Sequence, residues 1–299
     1  MFVCEHTPGN TGLNGRAVLN VVMYSSLYLS FAAVFMAYVS SAMQDLPVSA
    51  AACLIMFLTT FSVYNMNRKT DESEDAINHA ERFAFTQKYA NHLMAAAVVA
   101  YLFSFVIAGF SGLSTVAVAS IPLVSGIFYS VAVLPPGFGY RRLKDIPCVK
   151  NLLVGVAWAT PIALLSPLCT EAPIGMMTAV VWFFFFLLTV INTIVCDMRD
   201  VDGDIASGVK TLPAILGVGR TRLFLSVANL GGGGAVLLIC AGHLPLAAVA
   251  AIACIIAYVQ GYILLFDRSD REKVVYDLVA DGQYFLLGGL IVLSTVLPA

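Results

Sequence analysis

The chain has 299 residues, 60% of them hydrophobic and only 11% charged, with a net charge of −2. A soluble domain carries about a quarter charged residues, and the mean hydropathy here is +0.88. These values exclude a soluble globular enzyme, a disordered chain and a coiled coil, and they leave no basic field for nucleic acid. The seven cysteines are an odd number. Cys53, Cys169, Cys240 and Cys254 lie inside apolar runs and read as small buried hydrophobes rather than a disulfide framework.

A spanning helix needs about 20 mostly apolar residues. In chain order, segments 17–42, 46–66, 90–110, 113–134, 150–168, 173–195, 222–241, 244–265 and 278–297 qualify. The N-terminus shows no basic-then-apolar-then-cleavage pattern, so no removable signal peptide is expected. The charges agree with nine spans. Arg16 precedes the first. Arg68, Lys69, Arg82 and Lys88 lie between the second and third. Arg141, Arg142, Lys144 and Lys150 lie between the fourth and fifth. Arg199, Lys210, Arg220 and Arg222 lie between the sixth and seventh, and Arg268, Arg271 and Lys273 between the eighth and ninth. All 16 Lys and Arg residues therefore fall on one side. The positive-inside rule makes that side cytoplasmic, with the N-terminus inside and the C-terminus outside. The opposite loops are short, carry only Asp45 and Glu171, and read as hairpin turns.

Loop 2–3 places Asn67, Asp71 and Asp75 four residues apart. Loop 6–7 places Asp197, Asp200 and Asp204 at spacings of three and four. On a helix each set shares one face, with neighbouring Cβ atoms about 6 Å apart, where like charges repel. A dication would reconcile them. Either run alone reads equally well as a solvated loop. Two such runs in matching loops, in a chain with 18 acids, point to a site. They also suggest a weak internal repeat within a single domain of residues 1–299, helices 1–4 and 5–8 plus helix 9. Hard oxygen ligands suit Mg²⁺, which bridges carboxylates to substrate phosphates. Nearby cations would hold the remaining phosphate oxygens. Two acidic clusters above an apolar bundle fit a diphosphate head with a hydrocarbon tail.

These residues resemble the UbiA superfamily of intramembrane prenyltransferases. Asn67-x3-Asp71-x3-Asp75 and Asp197-x2-Asp200-x3-Asp204 carry the resemblance. Asn78-x2-Glu81-Arg82 extends it, with Ala80 where proline is common. Gly203-Asp204-Ile205-Ala206-Ser207-Gly208-Val209-Lys210-Thr211-Leu212-Pro213 is similar to the tail of the family's second motif. Tyr129-Ser130, Leu143-Lys144 and Lys150-Asn151 fit as well. The resemblance implies an all-α polytopic membrane protein, with nine transmembrane helices around a central cavity under a cytoplasmic cap from loops 2–3 and 6–7. It implies Mg²⁺-dependent transfer of an isoprenyl group from an allylic diphosphate to a hydrophobic acceptor, in the cell membrane, and a lateral opening to lipid. The acceptor is expected to be an aromatic quinone precursor, on family frequency alone. Geranylgeranylglyceryl phosphate, of archaeal-type lipid synthesis, stays open beside it.

The resemblance assigns Asp71, Asp75, Asp200 and Asp204 to catalysis through Mg²⁺, with Asn67 and Asp197 assisting as ligands. Arg82, Lys144 and Lys150 are the candidate diphosphate cations, with Arg68 and Lys69 as further candidates that serve equally as membrane anchors. Tyr64 and Tyr129 adjoin the motifs. Their rings would help wall out water and meet an allylic cation. Trp182 and Phe183 to Phe186 read more simply as packing or lipid-facing residues. His6, His79, His92 and His243 have no metal-ligand spacing, although His79 in the cap could accept a proton. Gly231 to Gly234 lie inside the seventh span and read as a close helix contact. A phosphatidyl-type alcohol transferase would need arginine where Ser207 stands, and would leave Asp71 and Asp75 unexplained. A cation transporter would carry acids at mid-membrane, whereas all but two acids here fall on the cytoplasmic side.

Overall fold

The structure, a computed structural model, describes residues 15–70, 80–131, 146–206, 209–265 and 273–296, together with 135, 137 and 140–143. Every element among them is a helix. They are α1 (Gly15–Tyr24), α2 (Leu27–Met43), α3 (Ala50–Thr70), α4 (Ala80–Phe110), α5 (Leu113–Ser130), α6 (Val149–Cys169), α7 (Met176–Ala206), α8 (Leu212–Leu216), α9 (Val218–Ala241), α10 (Leu246–Leu265) and α11 (Lys273–Val296).

Eight of these helices are individually long and apolar enough to span a membrane. The pair Val18–Tyr24 and Leu27–Met43 makes a ninth span if taken together. The nine expected segments all appear, and the first differs from a plain span. It breaks between α1 and α2 with a 65° bend, because Ser26 adopts a left-handed backbone with φ 66°. A break leaves backbone carbonyls without intrahelical partners, and inside a membrane protein these must be met by protein groups. Asn65 Nδ2 donates to Ser25 O at 3.0 Å. The Arg68 guanidinium donates to the carbonyls of Tyr24 and Met23. Side chains of α3 therefore cap the end of α1, and the cationic cap also suits the negative pole of that helix.

Successive helices pack as neighbours from α2 to α7. The ring continues through α9, α10 and α11, and α11 packs back onto α2 and α7. The shares of residues buried tell inner helices from outer ones: 56% in α6 and 61% in α7, against 22% in α4 and in α5. The core runs along α7 through Phe184, Phe185, Leu188, Ile191 and Val195, and meets Ile252, Ile255 and Val259 of α10. The outer faces carry exposed Leu102, Phe110, Leu223, Leu238 and Leu246, as a surface solvated by lipid requires.

Glycines 231–234 lie in α9 as expected of a packing run. A Cβ on Gly233 would come within 2.9 Å of Ile256 Cγ1 on α10, and one on Gly232 within 2.9 Å of Leu187 Cδ2 on α7. The aromatic run splits by side. Phe184 and Phe185 are fully buried and Phe183 is exposed. Trp182 stacks on Phe186 at 5.1 Å and donates from Nε1 to Thr160 Oγ1.

Polar ties differ between the two ends of the bundle. At one end Gln44 donates to Ala163 O at 3.1 Å and accepts from Thr178 Oγ1 at 2.6 Å, while Ser41 and Ser166 hydroxyls meet at 3.0 Å. That end closes with turns at Asp45 and Glu171, both with φ 54°. The opposite end holds the start of α6 and the end of α7, where the acids lie.

Candidate functional site

Two helices run beyond their apolar segments. The sixth span was expected to end near residue 195, but α7 continues as unbroken helix to Ala206. The third was expected to begin near residue 90, but α4 begins at Ala80. The extension of α7 carries Asp197, Asp200 and Asp204, so their spacing does place them along one helical stripe.

The three aspartates are held differently. Asp197 is only 8% exposed. Its Oδ1 accepts from Lys150 Nζ at 2.7 Å and its Oδ2 from Asn151 Nδ2 at 3.0 Å. Both donors come from the first turn of α6. A buried carboxylate is tolerated when it is paired and its remaining lone pairs are met, and this arrangement does both. Asp200 is forked by its chain neighbour. Arg199 Nη2 lies 2.6 Å from Oδ2 and Nε 3.1 Å from Oδ1, the bidentate geometry that strengthens such pairs. Asp204 is half-buried, and its Oδ2 is buried with no hydrogen-bond partner among the described residues. The charges of Lys150, Asp197 and Asp200 act on Asp204, and the Thr211 hydroxyl lies beside it. A buried carboxylate oxygen without a donor is costly, and an incoming cation would satisfy it.

The facing wall is the end of α3. Tyr64 is half-buried and stacks on Trp158 of α6, with centroids 5.7 Å apart and planes at 18°. Asn67 reaches towards α5, where a Cβ on Gly126 would sit 3.4 Å from Asn67 Oδ1. Arg68 is engaged with the end of α1, as described. Lys69 is exposed. Both line a narrow crevice between α3 and α4 with Thr86, Ala90 and Leu93. Arg82 is half-buried in the first turn of α4, beside Glu81, whose Oε2 accepts from Tyr24 OH at 3.2 Å. Tyr129 is half-buried in the last turn of α5. Asp71, Asp75, His79 and Lys144 lie outside the described residues. His92 and His243 are exposed; His243 Nδ1 lies 2.9 Å from Ile239 O.

The structure therefore gathers Lys150, Asp197, Asp200 and Asp204 at one end of the bundle. The Tyr64–Trp158 stack joins α3 to α6, the helix that holds Asp197. Among the described residues no three His, Cys, Asp or Glu side chains converge as a ready metal cage. Mg²⁺ does not require one, since it characteristically uses one or two carboxylates, substrate phosphates and water. Asp204, with its unmet oxygen, and Asp200 beside it fit that mode.

Sequence reasoning matched Asn151 to the family only as part of Lys150-Asn151 and gave it no role; the structure makes it the second donor to Asp197. A further feature escaped it altogether. Asp281 lies inside the ninth span and accepts from Asn192 Nδ2 at 3.0 Å. The available signal was a lone acid in the apolar segment 278–297, which marks function by default in a membrane protein.

Comparison with known proteins agrees with this architecture. The chain is 26% identical over 211 residues to the digeranylgeranylglyceryl phosphate synthase of Thermococcus kodakarensis, covering 69% of this chain and 68% of that protein. An apo UbiA homologue from Aeropyrum pernix superposes with a TM-score of 0.62 at 16% identity, over 89% of this chain and 98% of that one. A UbiA homologue from Archaeoglobus fulgidus bound to DMAPP and Mg²⁺ superposes with a TM-score of 0.60 at 15% identity, over 92% and 98%. These two likenesses establish the fold. The UbiA prenyltransferase family profile matches residues 28–278, and on that match the chain belongs to the UbiA family and is an intramembrane prenyltransferase.

Proposed function

We propose that the protein transfers an isoprenyl group from an allylic diphosphate to the hydroxyl of a prenylated glyceryl phosphate, with Mg²⁺, on the cytoplasmic side of the membrane. The buried Oδ2 of Asp204, unpartnered among the described residues, carries this reading: it offers a dication an acceptor oxygen at the end of an apolar bundle. The glyceryl lipid stands before an aromatic acceptor because the Thermococcus relative is named for making digeranylgeranylglyceryl phosphate. The cytoplasmic side follows from the distribution of Lys and Arg. The transporter alternative gives way to the family assignment.

Asp200 and Asp204, with Asp71, Asp75 and Asn67 from the first motif, would hold the ion. When bound, it supplies positive charge to the oxygens of a departing diphosphate. The protein's own groups do the rest. Lys150 and Asn151 neutralise and orient Asp197, which anchors the acid-bearing turns of α7 to α6. Arg82, Lys144 and Tyr129 are the candidate contacts to the diphosphate oxygens. The Tyr64–Trp158 stack offers ring faces to an allylic cation, and the apolar helices around it keep water from capturing that cation.

The test is a transfer assay in lipid nanodiscs. Geranylgeranyl diphosphate, Mg²⁺ and either geranylgeranylglyceryl phosphate or a panel of aromatic acids are supplied, and products are read by mass spectrometry. Ether-lipid product should form and should disappear with chelator. Asp204→Ala and Asp200→Ala should each lower kcat by about 100-fold or more, the scale of losing one stabiliser of developing charge. Prenylation only of the aromatic acids would replace the acceptor. Failure to consume any isoprenyl diphosphate would defeat the reading.

A further inference from the structure

Asp281 is the only charged side chain in the ninth span, Leu278–Thr295. Its carboxylate faces α7, where Asn192 is 7% exposed and donates Nδ2 to Asp281 Oδ1 at 3.0 Å. The amide of Asn192 is held at its other end too, since Cys196 Sγ donates to Asn192 Oδ1 at 3.8 Å. The backbone under Asp281 is fastened as well. Tyr28 of α2 donates to Leu278 O at 3.0 Å and Tyr258 of α10 to Val279 O at 2.7 Å. Three helices thus fix the turn that presents this carboxylate. Its charge reaches Tyr28, Tyr64, Tyr262 and Tyr284, from four helices around the interior.

The position relative to the acid cluster is set by α7 itself. Asn192, Cys196, Asp200 and Asp204 recur every four residues along one drifting stripe of a continuous helix. Asn192 is therefore two turns, about 12 Å, deeper than Asp200. Asp281 stands at that depth, in electrostatic reach of Tyr64, whose ring stacks on Trp158. The tie to Asn192 does not by itself require a charge there. Interhelical hydrogen bonds in membranes contribute about 0.6 kcal/mol on average, and an amide or hydroxyl would serve. An ionisable group inside a span is costly and marks function.

We propose that Asp281, positioned by Asn192, is the base that receives the acceptor's proton; this rests on the transfer to a hydroxyl proposed above. The allylic carbon's bond to the diphosphate oxygen breaks, and the electron pair leaves with diphosphate. The acceptor oxygen forms the new carbon–oxygen bond, and its proton passes to Asp281 Oδ. Bond and charge changes balance without another reactant. Asp281 is a catalytic residue in this assignment. Asn192 is a positioning residue, acting through the direction in which it holds that carboxylate.

The experiment compares the wild type with Asp281→Asn, Asp281→Glu and Asn192→Ala in nanodiscs. Binding of geranylgeranyl thiodiphosphate with Mg²⁺ is measured by calorimetry, and transfer to geranylgeranylglyceryl phosphate by mass spectrometry. Asp281→Asn should keep donor Kd within about twofold and lose about 100-fold or more in kcat, the scale of a general base. Asp281→Glu should recover part of that loss. Asn192→Ala should lower kcat by a smaller factor with donor Kd unchanged, a split that a purely structural tie would not give. An active wild type with an equally active Asp281→Asn would overturn this assignment alone. So would Asp281→Asn losing donor affinity and transfer together. An inactive wild type would overturn both this assignment and the function on which it rests.

Discussion

Lys150 and Asp197 show how one residue's role follows from its burial. The pair lies at 2.7 Å with both side chains largely sequestered. Removing one member of such a pair leaves a buried charge uncompensated, which costs about 3–5 kcal/mol. Lys150→Met should therefore lower the thermal unfolding midpoint in detergent clearly. Adding Asp197→Asn should restore most of the loss, because the stranded charge goes. If the double variant is no more stable than the single, the pair is not what holds these turns together. Sequence placed the three aspartates of α7 on one face, with Asp197 assisting Asp200 and Asp204 as a ligand. The structure divides them into one tied to α6, one forked by Arg199, and one with an unmet oxygen. That division depends on Lys150, 47 residues away in the chain, and spacing along α7 does not contain it.

At the level of elements, the spans were legible because lipid demands about 20 apolar residues per crossing. Their extensions were less so, since polar residues beyond the membrane look the same in a loop or a helix. The break in span one was hidden for another reason: its composition stays apolar on both sides, and only Asn65 and Arg68 of α3 make the bend tenable. The glycine run of α9 was read correctly as a contact, and its members are not equivalent. Gly233→Val would push a side chain into Ile256, already 2.9 Å from the first added carbon. We expect it to destabilise by about 1–3 kcal/mol, the usual cost of overpacking. Gly234 has nothing within 4 Å of an added Cβ, so Gly234→Ala should be neutral or stabilise by about 0.5–1 kcal/mol. Equal effects at the two positions, measured by thermal unfolding, would contradict the packing of α9 on α10.

At the scale of the whole molecule, the ring of helices puts the acids at one end and the Asp45 and Glu171 turns at the other. The proposed orientation is testable in a background with all seven native cysteines replaced. Asp45→Cys and Glu171→Cys, both at exposed turn positions, should react with a membrane-impermeant maleimide on intact cells. Lys69→Cys, also exposed, should react only after permeabilisation. The reverse pattern would invert the topology and move the acid cluster to the outer face.

Sequence alone determined the solvent of this protein, the segments long and apolar enough to cross it, and the loops in which charge gathers; it also named the acids expected to hold a dication. Each follows from short-range information: hydrophobic length, the count of Lys and Arg per loop, and helical spacing. The tertiary structure decided which acids are already neutralised, where the first span breaks, and which helix presents a carboxylate to the interior. Those outcomes depend on pairs such as Lys150 with Asp197 and Asn192 with Asp281, 47 and 89 residues apart. Their energies exist only once the ring of helices has closed and removed both partners from water.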